Sequence, residues 1–285
     1  MKIFTKSIDP TFNDNKINSP EPVLQFKRVR KKYLIPPITV DLLLSQIGSY
    51  LPKYKKTAEP QYVSSIYYDN AEWKCYSDQV KKVNPRFKIL FRQYYKDRVQ
   101  TDIGFLEIKR KENSNSYKER FRTEARLLGS ISESSIAPEV LSLNDNLSIE
   151  RLSEIHSTIA STIINYKLEP VVKVMYIRQA FESNDKTLRI TFDSNLEFHH
   201  IPNSFALPVK FLHKMPANFH VMEIKYSGKI PEWLTSLLKS NKISKRRFSK
   251  YCAAVQSIYD TETRGQKTKP LLLAEDKEFV KYGTI

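Results

Sequence analysis

Lysine and arginine recur at every second position in several short segments of this 285-residue chain. In "FKRVRKKYLI" the alternation groups Arg28, Arg30 and Lys32. In "RFKILFRQYY" it groups Arg86, Lys88 and Arg92, together with Leu90 and Tyr94. Side chains two positions apart share one face of a β-strand. Arginine and lysine are also the residues that grip phosphate oxygens. The spacing therefore indicates strands that together hold a multivalent anion.

Four further segments repeat the alternation. Their shared-face groups are Glu107, Lys109 and Lys111; Lys118, Arg120, Arg122 and Glu124; Arg189, Thr191 and Asp193; and Glu223 with Lys225. On one strand alone such charges most often mark a solvated face. Six strands together favour the interior of a barrel, where low-dielectric walls strengthen the attraction for an anion.

The carboxylates within these groups have two interpretations. Cations side by side on a sheet repel each other, so Glu107, Asp193 and Glu223 could be counter-charges in ion-pair networks. They are also hard oxygen ligands of the type that holds Mg²⁺ or Mn²⁺ together with substrate phosphates. The sequence predicts a metal role most strongly for Glu223 and leaves both readings open.

The elements that must position these residues are mostly strands. Segments rich in Val, Ile, Phe and Tyr predict eight strands, near 24–34, 62–68, 86–95, 104–111, 117–127, 170–181, 187–193 and 219–226. Apolar residues three or four apart predict four helices, within 40–51, 148–166, 231–238 and 250–259. This pattern is typical of an α+β barrel. His199 and His200 are expected in a loop, and a strand is expected to end in a turn at Asp69 and Asn70.

Composition narrows the partners. The 47 Lys and Arg against 31 Asp and Glu give a formal charge of +16, which implies an anion such as polyphosphate, nucleic acid or acidic lipid. Two cysteines are too few for a disulfide framework, and no apolar run reaches the length of a signal peptide or membrane span. We therefore expect a cytoplasmic protein. A Gly-rich phosphate loop, an HExxH helix and a GxSxG elbow are absent.

The order of motifs resembles the VTC (vacuolar transporter chaperone) polyphosphate polymerase domain, a branch of the triphosphate tunnel metalloenzyme superfamily. The resemblance runs from about Phe26 to Ile258. It rests on "KKYLIP", "SIYYDN", "FKILFRQYY", "FLEIKRK", "YKERFR", "EPVVKVMYIRQAF", "LRITFD", "VMEIKYSG" followed by "PEWL", and "RRFSKY". It implies a tunnel domain over 25–260. The weak periodicity around "SPEP" predicts an arm over 1–24, and the charged, proline-broken end predicts a tail over 261–285.

The resemblance implies a closed eight-stranded antiparallel β tunnel with flanking helices, and a metal-dependent polymerase. The enzyme would transfer the γ-phosphate of ATP to inorganic polyphosphate with Mn²⁺ or Mg²⁺. Its catalytic residues would be Lys32, Arg92, Lys109, Arg178, Arg189, Glu223 and Lys225. Further phosphate-binding residues would be Arg28, Arg30, Lys88, Lys111, Lys118, Arg120 and Lys250. The metal ligands would be Glu223, Glu107 and Asp193.

Two positions depart from the family pattern. Leu90 stands where the family usually has the first arginine of "RxRxY", which removes one phosphate contact that Arg86 or Lys88 would replace. Arg30 stands where hydrolytic tunnel enzymes carry a glutamate, which weakens the reading as a two-metal hydrolase.

Two alternative functions stay open. One is a hydrolase of tripolyphosphate or nucleoside triphosphate in the same tunnel. The other is a non-catalytic module that binds polyphosphate or nucleic acid, although nucleic acid is disfavoured because the cations follow strands rather than exposed loops or helices. A membrane partner protein is compatible with the sequence, which does not indicate an oligomeric state.

Overall fold

The computed structural model describes residues 29–52, 59–95, 101–113, 115–201, 210–214, 219–246 and 248–262. Nine strands lie in these ranges: β1 (Val29–Ile35), β2 (Gln61–Asp69), β3 (Arg86–Tyr95), β4 (Ile103–Glu112), β5 (Asn115–Glu124), β6 (Glu169–Glu182), β7 (Leu188–His200), β8 (Lys210–Lys214) and β9 (His220–Tyr226). Six helices accompany them: α1 (Pro37–Tyr50), α2 (Lys74–Lys81), α3 (Pro138–Leu143), α4 (Ile149–Asn165), α5 (Glu232–Ser240) and α6 (Lys250–Glu262).

The strands form one antiparallel sheet with the order β1-β9-β7-β6-β2-β3-β4-β5, and β8 pairs with β7 beside this path. The sheet curls into a half-barrel. The α+β class and the eight antiparallel strands are therefore confirmed. The predicted closure is not shown: β1 and β5 end the order, and no pairing joins them within the described ranges.

The helices cover the sheet with two separate apolar cores. One core lies under α1 and α5, where Leu43 and Ile47 pack with Ile190 and Leu234. The larger core includes residues of α2, α4 and α6. Apolar residues three and four apart in α4 face this core, and the Ser148 side chain caps the helix by accepting from Arg151 N. Both cores hold the strands, and the larger one reaches the face of the charged residues, because its Leu90 and Tyr176 lie two positions from Arg92 and Arg178.

Helix α6 is tied to the carboxyl end of β2. The Tyr251 ring stacks on Tyr67, and its hydroxyl donates a hydrogen bond to the buried Asp69 carboxylate. The same carboxylate accepts from the backbone amides of Cys75 and Tyr76 in the first turn of α2. The predicted strand end at Asp69 is confirmed, and one buried acid joins β2, α2 and α6.

Each edge of the sheet has a local cover. At β1, Tyr33 forms an isolated bridge with Lys245, and Arg246 N donates to Lys32 O at 2.9 Å. At β5, the Asn144 side chain accepts from Arg122 N and donates to Arg122 O, both at 2.8 Å. An amide side chain thereby makes the two hydrogen bonds that a neighbouring strand would make.

Several elements differ from those predicted. Helices α2 and α3 and the short strand β8 were not expected. His199 and His200 lie in β7 and not in a loop, because β7 continues past a register shift and pairs there with both β6 and β8. The predicted arm over 1–24 and the tail beyond Glu262 lie outside the described residues. Among the described helices, none has the length and apolar character needed to cross a membrane.

Candidate phosphate-binding site

Strand register places the predicted cations on one face of the sheet, because directly paired residues of antiparallel strands point to the same side. The first row is Arg30, Lys225 and Arg189 on β1, β9 and β7. We call the whole set the cationic face. Its described members are Arg30, Lys32, Lys88, Arg92, Lys109, Lys111, Lys118, Arg120, Arg178, Arg189 and Lys225, with Lys250 joining from α6. Arg28 lies outside the described residues.

A second row of like charges crosses the other half of the sheet. Lys88 pairs with Lys109, and Lys109 pairs with Lys118 on the next strand. The curl also brings Lys88 close enough to Lys32 on β1 for its charge to lower the pKa of Lys32. Like charges directly opposite each other destabilise a sheet. The two rows therefore store repulsion that a polyanion would relieve.

Glu107 is the carboxylate of the β3–β5 side. It is fully buried, with Lys109 Nζ at 2.7 Å, Lys118 Nζ at 2.9 Å and Arg120 Nη1 at 3.6 Å. Each oxygen is thus within hydrogen-bond distance of a lysine, with Oε2 next to Lys109 and Oε1 next to Lys118. Burial would raise the pKa of Glu107, but Lys109, Arg92 and Lys118 hold it well below its usual range. The Glu107 carboxylate is therefore ionised and forms ion pairs with three cations at once.

Asp193 is the carboxylate that links the sheet to α6. Arg178 donates to it from Nε at 2.6 Å and from Nη2 at 2.8 Å, and Lys250 Nζ donates to the same carboxylate. Both cations also lie over the Tyr176 ring. Burial opposes ionisation, yet Arg178 and Lys250 hold the pKa of Asp193 well below its usual range. This group is the most fully hydrogen-bonded carboxylate of the face.

Glu223 lies on β9, on the β1–β7 side of the sheet, and its neighbouring cations are Lys225 and Lys32. Its oxygens are 3.0 Å from Lys225 Nζ and 3.9 Å from Lys32 Nζ. Lys32 Nζ also donates to Phe248 O at 2.9 Å. Burial opposes ionisation of Glu223, but Lys225 and Lys32 lower its pKa to about 2.

Burial makes protonation costly at four lysines of the face: Lys32, Lys88, Lys109 and Lys118. Burial lowers the pKa of Lys32 to about 7, with Glu223 opposing the shift and Lys250, Lys88 and Arg30 adding to it. Burial likewise lowers the pKa of Lys88, Lys109 and Lys118. A bound polyanion would favour the charged form of each lysine. The site is therefore poised to take up protons with its ligand.

A hard metal ion fits one of the three predicted carboxylates best. Within the described ranges, no group of three or more His, Cys, Asp or Glu side chains could hold a metal. Asp193 is occupied by two cations, and Glu107 has three cations within 4 Å. Glu223 has two described cations within 4 Å, of which Lys225 lies at 3.0 Å and Lys32 at 3.9 Å. One carboxylate plus substrate phosphates is a usual arrangement for Mg²⁺, so the metal role stays a prediction, placed on Glu223.

The structure shows the surroundings of Leu90, which stands where the family usually has an arginine. Leu90 is fully buried and pairs in register with Glu107. Arg86, one expected replacement, is directed to Val83 O at 2.9 Å, whereas Lys88 lies 3.4 Å from Gln79 on α2. Of the two, Lys88 belongs to the cationic row.

Sequence reasoning placed Tyr94 on this face but did not identify Ser65, Phe105 or Tyr176 as members. Ser65 receives a hydrogen bond from Arg92 Nε at 3.2 Å, and Phe105, Tyr94 and Tyr176 contribute rings beside the cations. A signal for Phe105 was present as the period of two, because Phe105 precedes Glu107 by two positions.

Comparisons with known proteins agree with the resemblance found in the sequence. A family model described as the VTC domain matches residues 27–259. Subunit 2 of the vacuolar transporter chaperone complex of Saccharomyces cerevisiae is 25% identical over 275 residues, which cover 71% of this chain and 31% of the relative. The chain thus spans less than a third of that relative's length.

Among solved structures, a conserved hypothetical protein from Pyrococcus furiosus is 8% identical, with coverage of 79% of this chain and 99% of that chain. Its TM-score of 0.38 is too low for the likeness to carry an argument. The family model, in contrast, spans most of this chain and every strand described above. The predicted family is confirmed: this chain belongs to the VTC domain family.

Proposed function

We propose that this chain is a polyphosphate polymerase that transfers the γ-phosphoryl group of ATP to inorganic polyphosphate on the cationic face. The observation that carries the proposal is the pair of like-charge rows, Arg30–Lys225–Arg189 and Lys88–Lys109–Lys118. Such rows lower stability unless a polyanion binds across them. Membership of the VTC family supports phosphate chains as that polyanion.

Positioning and charge neutralisation supply most of the catalysis in phosphoryl transfer. The chain's cations hold donor and acceptor phosphates in line, so that a terminal polyphosphate oxygen forms a bond to the γ-phosphorus while the bond to ADP breaks. Arg92, anchored on Ser65, and Arg178, anchored on Asp193, are the guanidinium groups held most firmly for this task. Lys32 and Lys225 flank Glu223 on the facing side.

Glu223 is the proposed ligand of Mn²⁺ or Mg²⁺. A metal ion bound there with the substrate phosphates would neutralise charge on the transferred group. Enclosure of the substrate in a closed tunnel is part of this proposal, because exclusion of water would limit hydrolysis of the donor.

Product analysis tests the function. The purified chain is incubated with ATP and Mn²⁺, and the products are separated on a gel stained for polyphosphate. Polymer that lengthens with time supports the polymerase. Orthophosphate without polymer would support the hydrolase instead, and binding of tripolyphosphate without turnover would leave a non-catalytic polyphosphate-binding module.

Glu223→Gln tests the metal role against a matched control. Glu182 lies on the same face, 3.5 Å from Arg189, and the two glutamate side chains are equally exposed, at 14% and 15%. We expect Glu223→Gln to abolish Mn²⁺-dependent turnover while tripolyphosphate binding survives or tightens, because one negative charge leaves the site. Glu182→Gln should keep its dependence on Mn²⁺. A stable, fully active Glu223→Gln enzyme would remove Glu223 from the mechanism.

A further inference from the structure

Phe105 on β4 is an aromatic residue with cationic neighbours. The guanidinium carbon of Arg120 lies 4.0 Å from its ring centroid, and that of Arg122 lies 5.7 Å away. Tyr94 on β3 meets the ring edge-on, with centroids 6.3 Å apart and planes at 76°. Among the described residues, Phe105 belongs to neither apolar core. Packing of the core therefore does not explain a phenylalanine at this position.

The position of this ring on the sheet limits what it can contact. Phe105 pairs in register with Arg92 on β3 and Arg122 on β5. Tyr94 and Tyr62 lie near the amino end of β2, since Tyr62 pairs with Tyr95. Helix α6 contacts β2, β6 and β7, through Tyr251 at Asp69 and Lys250 at Tyr176 and Asp193. The ring lies on β4, in register with Arg92 and thus directly beside the proposed phosphate site.

Aromatic rings beside phosphate-binding arginines are a common means of holding nucleobases, because every base has a π-face that can stack on a ring or on a guanidinium plane. The Arg120 guanidinium already occupies such a position over Phe105. We propose that Phe105, flanked by Tyr94 and Arg120, forms a stacking site for the base of a nucleoside triphosphate whose phosphates lie on the cationic face. This inference rests on the proposed phosphate-binding function.

The proposed site has a defined selectivity. Stacking discriminates weakly among bases, so purine nucleotides such as ATP and GTP should bind with similar affinity. Inorganic tripolyphosphate carries comparable phosphate charge without a base and does not use the ring. The effect of Phe105→Leu on the ratio of the ATP and tripolyphosphate affinities therefore measures the contribution of the ring.

Calorimetric titration of the full chain with ATP and with tripolyphosphate, both without metal, tests the proposal. We expect Phe105→Leu to weaken ATP binding about five-fold or more while tripolyphosphate affinity stays within two-fold. Phe105→Tyr should retain the parent ratio of the two affinities. The matched control is Phe87→Leu, which removes a ring from the opposite face of the same sheet. There the Phe87 ring centroid lies 4.9 Å from that of Tyr166. The ratio of ATP to tripolyphosphate affinity of this variant should equal that of the parent.

The outcomes separate the two proposals. If Phe105→Leu weakens ATP and tripolyphosphate by the same factor, the ring only supports Arg120 and the stacking site is wrong, whereas phosphate binding stands. If the parent chain binds neither ligand, both proposals are overturned. A melting curve for each variant establishes that it is folded. If Phe105→Leu does not fold, Tyr94→Leu is compared with Phe105→Tyr instead. The ATP affinity of Tyr94→Leu should then fall relative to its tripolyphosphate affinity, whereas Phe105→Tyr should keep the parent ratio.

Discussion

Asp193 and Glu107 are both buried acids of the cationic face, but their surroundings differ. Asp193 accepts hydrogen bonds from Arg178 and Lys250, whose side chains are only 17% and 11% exposed. Glu107 has three neighbouring cations, and two of them, Lys118 and Arg120, are 43% and 38% exposed. The first arrangement fixes the fold by joining β6, β7 and α6. The second leaves its cations available for a ligand.

Asp193→Asn is the strongest test of this difference. Removing one partner of a buried ion pair leaves buried charge uncompensated, so we expect the free energy of unfolding to fall by about 3–5 kcal/mol. Denaturant titration of the variant beside the parent chain measures this loss. A loss below about 1 kcal/mol would show that Asp193 is not the structural acid of the pair.

The stability difference between the parent and Asp193→Asn should also depend on pH in a defined direction. The folded pKa of Asp193 lies below its unfolded value of about 3.9. Its contribution is therefore complete above pH of about 4 and is lost as the pH falls toward the folded pKa. The parent and Asp193→Asn should differ most in stability near neutral pH, and the difference should shrink in acid. A constant difference would contradict the linkage.

Gly104→Ala should disturb only the Glu107 side. A Cβ added at Gly104 would lie 2.5 Å from the Phe91 ring and 2.7 Å from Arg92 O, so β4 must move away from β3. We expect a loss of about 1–3 kcal/mol in stability from this overpacking, together with weaker tripolyphosphate binding. Gly129→Ala is the control, because a Cβ there meets nothing within 4 Å. Equal melting temperatures for the two variants would contradict the close approach.

Glu107→Gln sharpens the comparison through the ligand. Glu107 is itself fully buried, but Lys118 and Arg120 keep contact with water, so we expect the substitution to cost about 1–3 kcal/mol, between the values typical of exposed and of buried ion pairs. Because it increases the repulsion that a polyanion relieves, tripolyphosphate should raise its melting temperature more than that of the parent and more than that of Asp193→Asn. Orthophosphate at equal ionic strength should give a smaller shift. Equal shifts from both anions would indicate non-specific screening.

Proton uptake is the smallest expected effect. The lowered pKa of Lys32, about 7, leaves part of this lysine neutral just above neutral pH, and a bound polyanion favours its charged form. Binding of tripolyphosphate at pH of about 8 should therefore take up a fraction of a proton, and affinity should fall as the pH rises. Calorimetry in buffers of different ionisation enthalpy measures the uptake. Lys32→Arg, which stays charged, should reduce it, and unchanged uptake would exclude Lys32 as a contributor.

The sequence predicted the faces of the strands better than their surroundings. Alternation with a period of two placed Lys32, Arg92 and Lys225 on one face, because strand geometry alone determines which side chains share a side. The contact of Lys250 with Asp193 joins residues 57 positions apart, so no local spacing could indicate that Asp193 is occupied. Helix α2 was not predicted for a similar reason, since the backbone amides of its first turn are capped by Asp69 from the preceding strand.

The extent of the sheet was also only partly predictable. His199 and His200 extend β7 because strands β6 and β8 pair with them, and tertiary pairing of this kind overrides weak local preference. The rings of Phe105 and Tyr94 lay in predicted strands, but their place beside Arg120 depends on the register between β4 and β5.

The covers on the two sheet edges have a consequence for how the protein behaves at high concentration. An unpaired edge strand is a template for strands of other molecules and thus a starting point for aggregation. The Lys245–Arg246 segment and the Asn144 side chain occupy backbone groups at β1 and β5 that such strands would use. With these groups occupied, the sheet offers fewer backbone sites for pairing with its own copies.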